Sequence, residues 1–253
     1  MCKVISVSNQ KGGVGKTTTT LALSEGFRQR GHRVLAIDLD PQGNLSFSMG
    51  AESEMSATIY DVLKGDAKSK FAIQRTPRGD VIASNILLSG MELEFTNAGR
   101  EFLLRNAIAP LAEYYDYIFI DTPPALSILT VNAFAASDCI IVPVLSDIFS
   151  LQGLAQLHET VEKVRQHCNS DLRIGGILLT RFNPRFLLSN EIRGTAEMIS
   201  RDLNIPLLDT FIRTSVVFSE AQSMQRGAIE YAPANNAVQD YINLVDELIE
   251  RGI

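Results

Sequence analysis

The sequence runs to 253 residues, of which 45% are hydrophobic, enough apolar material for one α/β domain with a large buried core. Its 29 acidic residues outnumber 23 basic ones, a formal net charge of −6. The overall field therefore gives no basis for tight, ligand-independent binding to nucleic acid or an anionic membrane, and any such binding must be local or conditional. Cys2, Cys139 and Cys168 lie far apart without C-x-x-C spacing, which argues against a disulfide framework or zinc site and for reduced cytosolic thiols. The N-terminal apolar run is too short for a signal segment, and no run reaches the roughly 18 to 20 residues of a membrane span.

Residues 4–7 form an apolar run directly before a glycine-rich loop. From 18 to 30, Leu21, Leu23 and Phe27 recur at near-helical spacing, and Gly31 stops the helix. The same alternation predicts strands over 33–37, 117–120, 139–142 and 174–179, with helices over 99–114, 128–136 and 152–167. Short apolar runs without polar alternation suit strands buried on both faces. The expected fold is therefore α/β: a doubly wound, mostly parallel sheet flanked by helices. In such sheets ligands sit at the carboxyl ends of strands, where residues 9–17, 38–42 and 121–124 fall. Residues 50–95 read as a surface-facing helical and hairpin insert. No repeat, low-complexity segment or linker divides the chain, so 1–253 is expected to be one domain.

The stretch SNQKGGVGKTTTT at 8–20 departs from the phosphate-loop pattern G-x-x-x-x-G-K-[ST] in one place. Gln10 stands where the first glycine belongs, and Lys11 beside it supplies a second lysine. Gly12, Gly13 and Gly15 let the backbone around Val14 curl so that successive N–H groups point at phosphate oxygens, and the helix opening at Lys16, Thr17 and Thr18 adds its N-terminal dipole. Lys16 would reach the β- and γ-phosphates and the Thr17 hydroxyl would ligate Mg²⁺. Asp121 follows an apolar strand, where a Walker B carboxylate acts on the metal. Asp38 and Asp40 end the strand at 33–37, two residues apart and so on one face of it. No histidine or glutamate stands in these motifs as a strong general base, so slow hydrolysis is expected.

The order N-Q-K-G-G-V-G-K-T-T, V-L-A-I-D-L-D-P-Q-G-N, Y-D-Y-I-F-I-D-T-P-P and F-S-E-A-Q-S resembles the ParA/Soj family of DNA-partition ATPases, over essentially the whole chain. That family is of the deviant Walker A class, in the MinD/ParA superfamily, and its signature K-G-G-x-G-K-[ST] accounts for Lys11. The resemblance implies ATP and Mg²⁺ as cofactors and an ATP-dependent homodimer in which Lys11 reaches the phosphates held by the other subunit. It implies Lys11, Lys16 and Asp40 as catalytic residues, Asp40 positioning the attacking water. Thr17 and Asp121 would hold the metal, with Asp38 supporting its shell. Asn183 and Pro184, just past the strand at 174–179, are candidates for adenine contacts.

The family also implies a ParB-like protein that stimulates hydrolysis, and non-specific double-stranded DNA binding by the ATP-bound dimer. The family's arginine-bearing stretch P-R-N-V-R-L-S-E-A departs here: residues 213–221 read R-T-S-V-V-F-S-E-A, with Thr214 and Val217 where the arginines stand. Six arginines against five acids between 181 and 226 leave that segment nearly neutral. Arg185, Arg193 and Arg213 are expected to form a patch that dimerisation doubles, contacting DNA phosphates only in the ATP state. A first strand starting by residue 4 leaves no room for an N-terminal helix-turn-helix region, so operator binding is not expected. The amphipathic stretch 238–251 has an acidic polar side, which fits packing on the domain and not a membrane surface. A cytoplasmic protein follows, nucleoid-associated if it binds DNA. The alternatives are a positioning ATPase carrying a protein cargo, and an ATP-dependent metabolic enzyme or iron–sulfur reductase. The reductase would need paired cysteines in strand-end loops, where Cys139 and Cys168 do not fall.

Overall fold

The computed structural model describes residues 2–253, the side chains of residues 92 and 148–152 excepted. Strand β1 (Lys3–Val7) runs into the glycine-rich loop, and α1 (Lys16–Gln29) leaves it. After β2 (Val34–Asp38) come α2 (Asn44–Met49), α3 (Ile59–Lys64), α4 (Ser69–Ala72), β3 (Ile73–Thr76) and β4 (Gly79–Ile82). The short α5 (Met91–Glu94) and α6 (Leu103–Ile108) lead to β5 (Tyr117–Asp121) and α7 (Ile128–Ala136). β6 (Cys139–Leu145), α8 (Ile148–His167), β7 (Arg173–Phe182) and α9 (Leu187–Leu203) continue the alternation. β8 (Ile212–Arg213), α10 (Val217–Ser223), α11 (Ala228–Tyr231) and α12 (Asn236–Glu250) complete the chain.

The strands form one sheet in the order β3-β4-β2-β5-β1-β6-β7-β8, parallel throughout except that β3 runs antiparallel to β4. The chain moves to one side of β1 on leaving it and to the other side after β5. This opens a crevice at the carboxyl end of β1, the switch point at which such sheets take ligands.

Both faces of the sheet are apolar because its central strands are apolar at most positions on either side. Ile118 and Ile120, Ile140 and Val142, and Ile177 and Leu179 point to the face covered by α7, α8 and α9. Their neighbours Phe119, Ile141 and Leu178 point to the face covered by α1 and α12. On that second face Leu23 and Phe27 of α1 are fully buried against Tyr241, Leu244 and Leu248 of α12, each such side chain contributing about 1.5–3 kcal/mol. Gly26 sets the approach of the two helices: a Cβ there would stand 2.6 Å from Val245 Cγ2. The C-terminal amphipathic stretch thus packs on the domain, as its acidic polar side led us to expect. Among the described residues no helix is long and apolar enough to cross a membrane.

Two expectations need correction. Residues 50–95 are not a surface insert: they do contain a hairpin, but β4 pairs parallel with β2 and extends the main sheet, and Ile59, Val81, Ile82, Leu88 and Met91 are buried. The helix over 99–114 is broken into α6 between two 3-10 turns, Arg100–Phe102 and Ala109–Leu111. Pro110 lies in the second turn, where its missing N–H ends the α-helical ladder.

Candidate nucleotide site

The loop between β1 and α1 is fixed from below before it can hold anything above. Asn9, nearly buried, donates through Nδ2 to the Pro143 carbonyl at 2.7 Å and accepts the Lys11 N–H on Oδ1 at 2.9 Å. Val14 is buried and its carbonyl accepts the Thr180 hydroxyl at 2.9 Å, tying the loop to β7. Gly13 and Gly15 have φ of +74° and +92°, left-handed values that a side chain would resist, and no side chain caps the start of α1. The first N–H groups of that helix are thereby left for an anion.

Lys16 is buried and folds back over the loop, its ammonium donating to the Lys11 carbonyl at 3.2 Å. Burial pushes its pKa below the ordinary lysine value, with Asp121 and Asp40 pulling it back up. Lys11 itself turns outward to a residue the sequence had not singled out: Nζ stands 2.9 Å from both carboxylate oxygens of Asp147, just past β6.

Asp38 and Asp121 face each other in register at the ends of β2 and β5, both fully buried. The Thr17 hydroxyl donates to Asp121 Oδ2 at 2.6 Å. Burial first, then the nearby Asp38 carboxylate, raise the Asp121 pKa well above the usual range. A hydroxyl and a carboxylate are hard oxygen donors that suit Mg²⁺, which completes its shell with water and nucleotide phosphates. Among the described residues no group of three or more His, Cys, Asp and Glu could hold a metal ion by itself.

Asp38 lies one layer behind this point. Its Oδ2 accepts the N–H and hydroxyl of Ser46 at 2.8 and 2.7 Å, and its Oδ1 accepts the Asp40 N–H at 3.1 Å. Expected to support the metal shell, it fixes the backbone of Asp40 and the start of α2, and burial pushes its carboxyl up to about 6. Asp40 lines the cavity above the loop, its Oδ1 accepting the Gln42 N–H at 3.0 Å.

Three adjoining hollows mark a cleft. The first, about 420 Å³, is lined by Gly12, Gly13, Lys16, Thr17, Asp40 and Pro124 and extends to Arg181 and Ser219. A second, about 110 Å³, shares Gly13, Gly15, Thr18, Arg181 and Ser219 with it and adds Arg213 and Thr214. The third, about 370 Å³, shares Arg213 and Thr214 with the second and includes Asn183, Pro184 and Arg185. Phosphates on the loop would thus leave the nucleoside running toward Asn183 and Pro184.

Of the three arginines expected to contribute a basic patch, two are paired with carboxylates. Arg213 is clamped to α12: Nε and Nη2 bind the two Asp240 oxygens at 2.9 and 2.6 Å, and Nη2 also donates to the Asn236 carbonyl. Arg193 pairs with Glu197 one turn on. Arg185 alone of the three is exposed with no acidic partner among the described residues. Cys139 is buried in β6 and burial pushes its thiol up to about 11, so it presents no ligand for a cluster between subunits.

A family model described as "AAA domain" matches residues 2–174. The sporulation initiation inhibitor protein Soj of Bacillus subtilis is 39% identical over 256 residues, spanning 100% of both chains. The chain belongs to the ParA/Soj family. The chromosome partitioning protein ParA of Caulobacter vibrioides is 39% identical over 255 residues, covering 98% of this chain and 94% of that one. A solved structure titled cobyrinic acid a,c-diamide synthase from Mycobacterium smegmatis, with bound ATP analog and magnesium, superposes with a TM-score of 0.88. It is 31% identical, covering 100% of this chain and 96% of that chain. This ParA/Soj-type protein is accordingly a P-loop ATPase with ATP and Mg²⁺ as cofactors, and a partitioning ATPase by its relatives.

Proposed function

We propose that this partitioning ATPase is a dimerising switch: two subunits close on two ATP molecules, the dimer holds DNA without sequence preference, and slow hydrolysis stimulated by a ParB-like protein releases it. The observation that carries the switch is the position of Lys11. It sits at the rim of the phosphate loop with its ammonium turned away from its own cradle onto Asp147, whereas Lys16 stays inside the loop. A second lysine placed at the rim can serve a site in another subunit by exchanging its contact with Asp147 for a phosphate, and the charge of the γ-phosphate then becomes a condition for dimerisation. Thr17 and Asp121 are proposed to hold the metal, and Asp40, steadied by Asp38, to orient the attacking water. Asn183 and Pro184 are proposed to contact adenine.

The DNA part rests on Arg185 more than on Arg193 and Arg213, whose charges are already matched by carboxylates. A second reading, a positioning ATPase with a protein cargo, is favoured by the apolar surface beside it: Phe186, Leu187, Leu188 and Val216 are all more than half exposed. Fluorescence anisotropy with a random-sequence duplex separates them. The DNA switch requires binding with ATP and Mg²⁺ only, falling steeply with salt and lost in Lys11→Ala. An ATP-dependent dimer that leaves the duplex unbound at low salt sinks the DNA reading and leaves the cargo reading standing.

A further inference from the structure

Arg181 belongs to none of the motifs above, yet it forms wall in both hollows that meet at the phosphate loop. Its backbone is in the left-handed region, φ +52°, at the point where the register of β7 against β8 slips between Thr180 and Phe182. The residues on either side are committed elsewhere. Thr180 donates its hydroxyl to the loop carbonyl of Val14, and Phe182 is buried in contact with the Phe211 ring. The bulge therefore turns Arg181 alone outward. Glycine would take that conformation without strain, so the backbone gives no reason for an arginine. The charge gives one. Arg213, in the same cleft, is neutralised by Asp240, while Arg181 has no acidic partner among the described residues.

We propose that Arg181 is a nucleotide-clamping residue that grips the phosphate nearest the nucleoside, the α-phosphate of ATP or ADP bound in the same subunit. The loop N–H groups cradle the α- and β-phosphates and Lys16 reaches the β- and γ-phosphates, which leaves the α-phosphate without a cationic side chain. The next group along the cleft lies where the first and second hollows join, and Arg181 is common to both. A guanidinium suits the position because its rigid planar fork donates two parallel hydrogen bonds to one phosphate, a fixed geometry that a lysine's flexible point charge does not impose. The inference rests on nucleotide binding and needs neither the dimer nor DNA.

The test compares wild type with Arg181→Gly and Arg181→Lys in two measurements: thermal melting without nucleotide, and titration with fluorescent ADP and with a slowly hydrolysed ATP analogue, at protein concentrations that keep the chain monomeric. Relief of the left-handed strain should leave the Arg181→Gly melting temperature unchanged or higher. Affinity for both nucleotides should fall together, by roughly tenfold for a lost charge-assisted contact in a half-open cleft. Arg181→Lys should recover only part of that. Three results would overturn the assignment: unchanged affinity, loss confined to the ATP analogue, or loss accompanied by a lower melting temperature. If wild type and Lys16→Ala bind ADP equally weakly, the phosphate-loop site itself is wrong, a result distinct from an Arg181 variant that binds normally.

Discussion

Replacing Asp147 by Asn should make the ATP-bound dimer tighter. In the monomer Asp147 holds both carboxylate oxygens 2.9 Å from the Lys11 ammonium, with the two side chains 38% and 36% exposed. A pair this open to solvent contributes at most about 1 kcal/mol once screening and side-chain entropy are counted. Under the proposed trans role, each subunit must give up that contact before its Lys11 can reach the other nucleotide. Two such pairs per dimer set the upper limit near 2 kcal/mol, so the dimer dissociation constant should fall by up to about 30-fold. Sedimentation velocity with an ATP analogue and Mg²⁺ reads it directly, with ADP as the state in which neither protein dimerises. The gain should shrink as salt rises, because the contact removed is electrostatic. An Asp147→Asn dimer that is no tighter than wild type, or weaker, would refute the view that this ion pair opposes assembly.

Asp121→Asn should weaken Mg²⁺ dependence of ATP turnover by about 10- to 100-fold, measured by metal titration. It should also raise the melting temperature of the nucleotide-free protein, since it removes a buried carboxyl that burial and Asp38 hold well above its ordinary pKa. For Asp38, a folded-state value of about 6 against 3.8 means that the folded protein keeps a proton the unfolded chain has released. Its penalty sets in as pH rises from about 4 and is complete above about 6. Nucleotide-free melting profiles should therefore lose stability across that window in wild type and be flatter in Asp38→Asn. Gly26→Ala should destabilise by about 1–3 kcal/mol in urea unfolding, because its methyl would meet Val245 Cγ2 at 2.6 Å. Val245→Ala in the same chain should recover part of the loss.

What was legible in the sequence was whatever depends on neighbours in the chain. The apolar runs of β1, β2, β5, β6 and β7 and the glycine pattern of the loop are local, and each appears where expected. Asp121 was legible because a strand-end carboxylate follows directly from its strand. The stretch 50–95 misled because β4 is only four residues long, with Gly79 and Asp80 at its start, and gains its place by pairing with β2. The 99–114 pattern is helical in its apolar spacing, but Pro110 overrides it. The partners of the arginines were illegible for another reason. Arg213 and Asp240 are distant in sequence and meet only because β8 and α12 pack together. Asp147 could have been found, since it stands two residues past the apolar strand β6, near the carboxyl end where ligands gather. Arg181 could not, because nothing local marks the residue at which a parallel ladder slips.

The position of β1 in the middle of the sheet also governs the order in which the molecule can assemble. Although β1 and its loop carry the phosphate site, its two sheet neighbours are residues 117–121 and 139–141. As the chain emerges from the ribosome, the loop motif is therefore complete long before any strand can hold it. Ile5 and Val7, fully buried in the finished protein, have no strand beside them until β5 and β6 have been made. Long-range parallel pairing of this kind is slow to form. The phosphate site should thus appear late in synthesis and all at once, and a nascent chain stalled before β5 should carry the whole motif and bind no nucleotide.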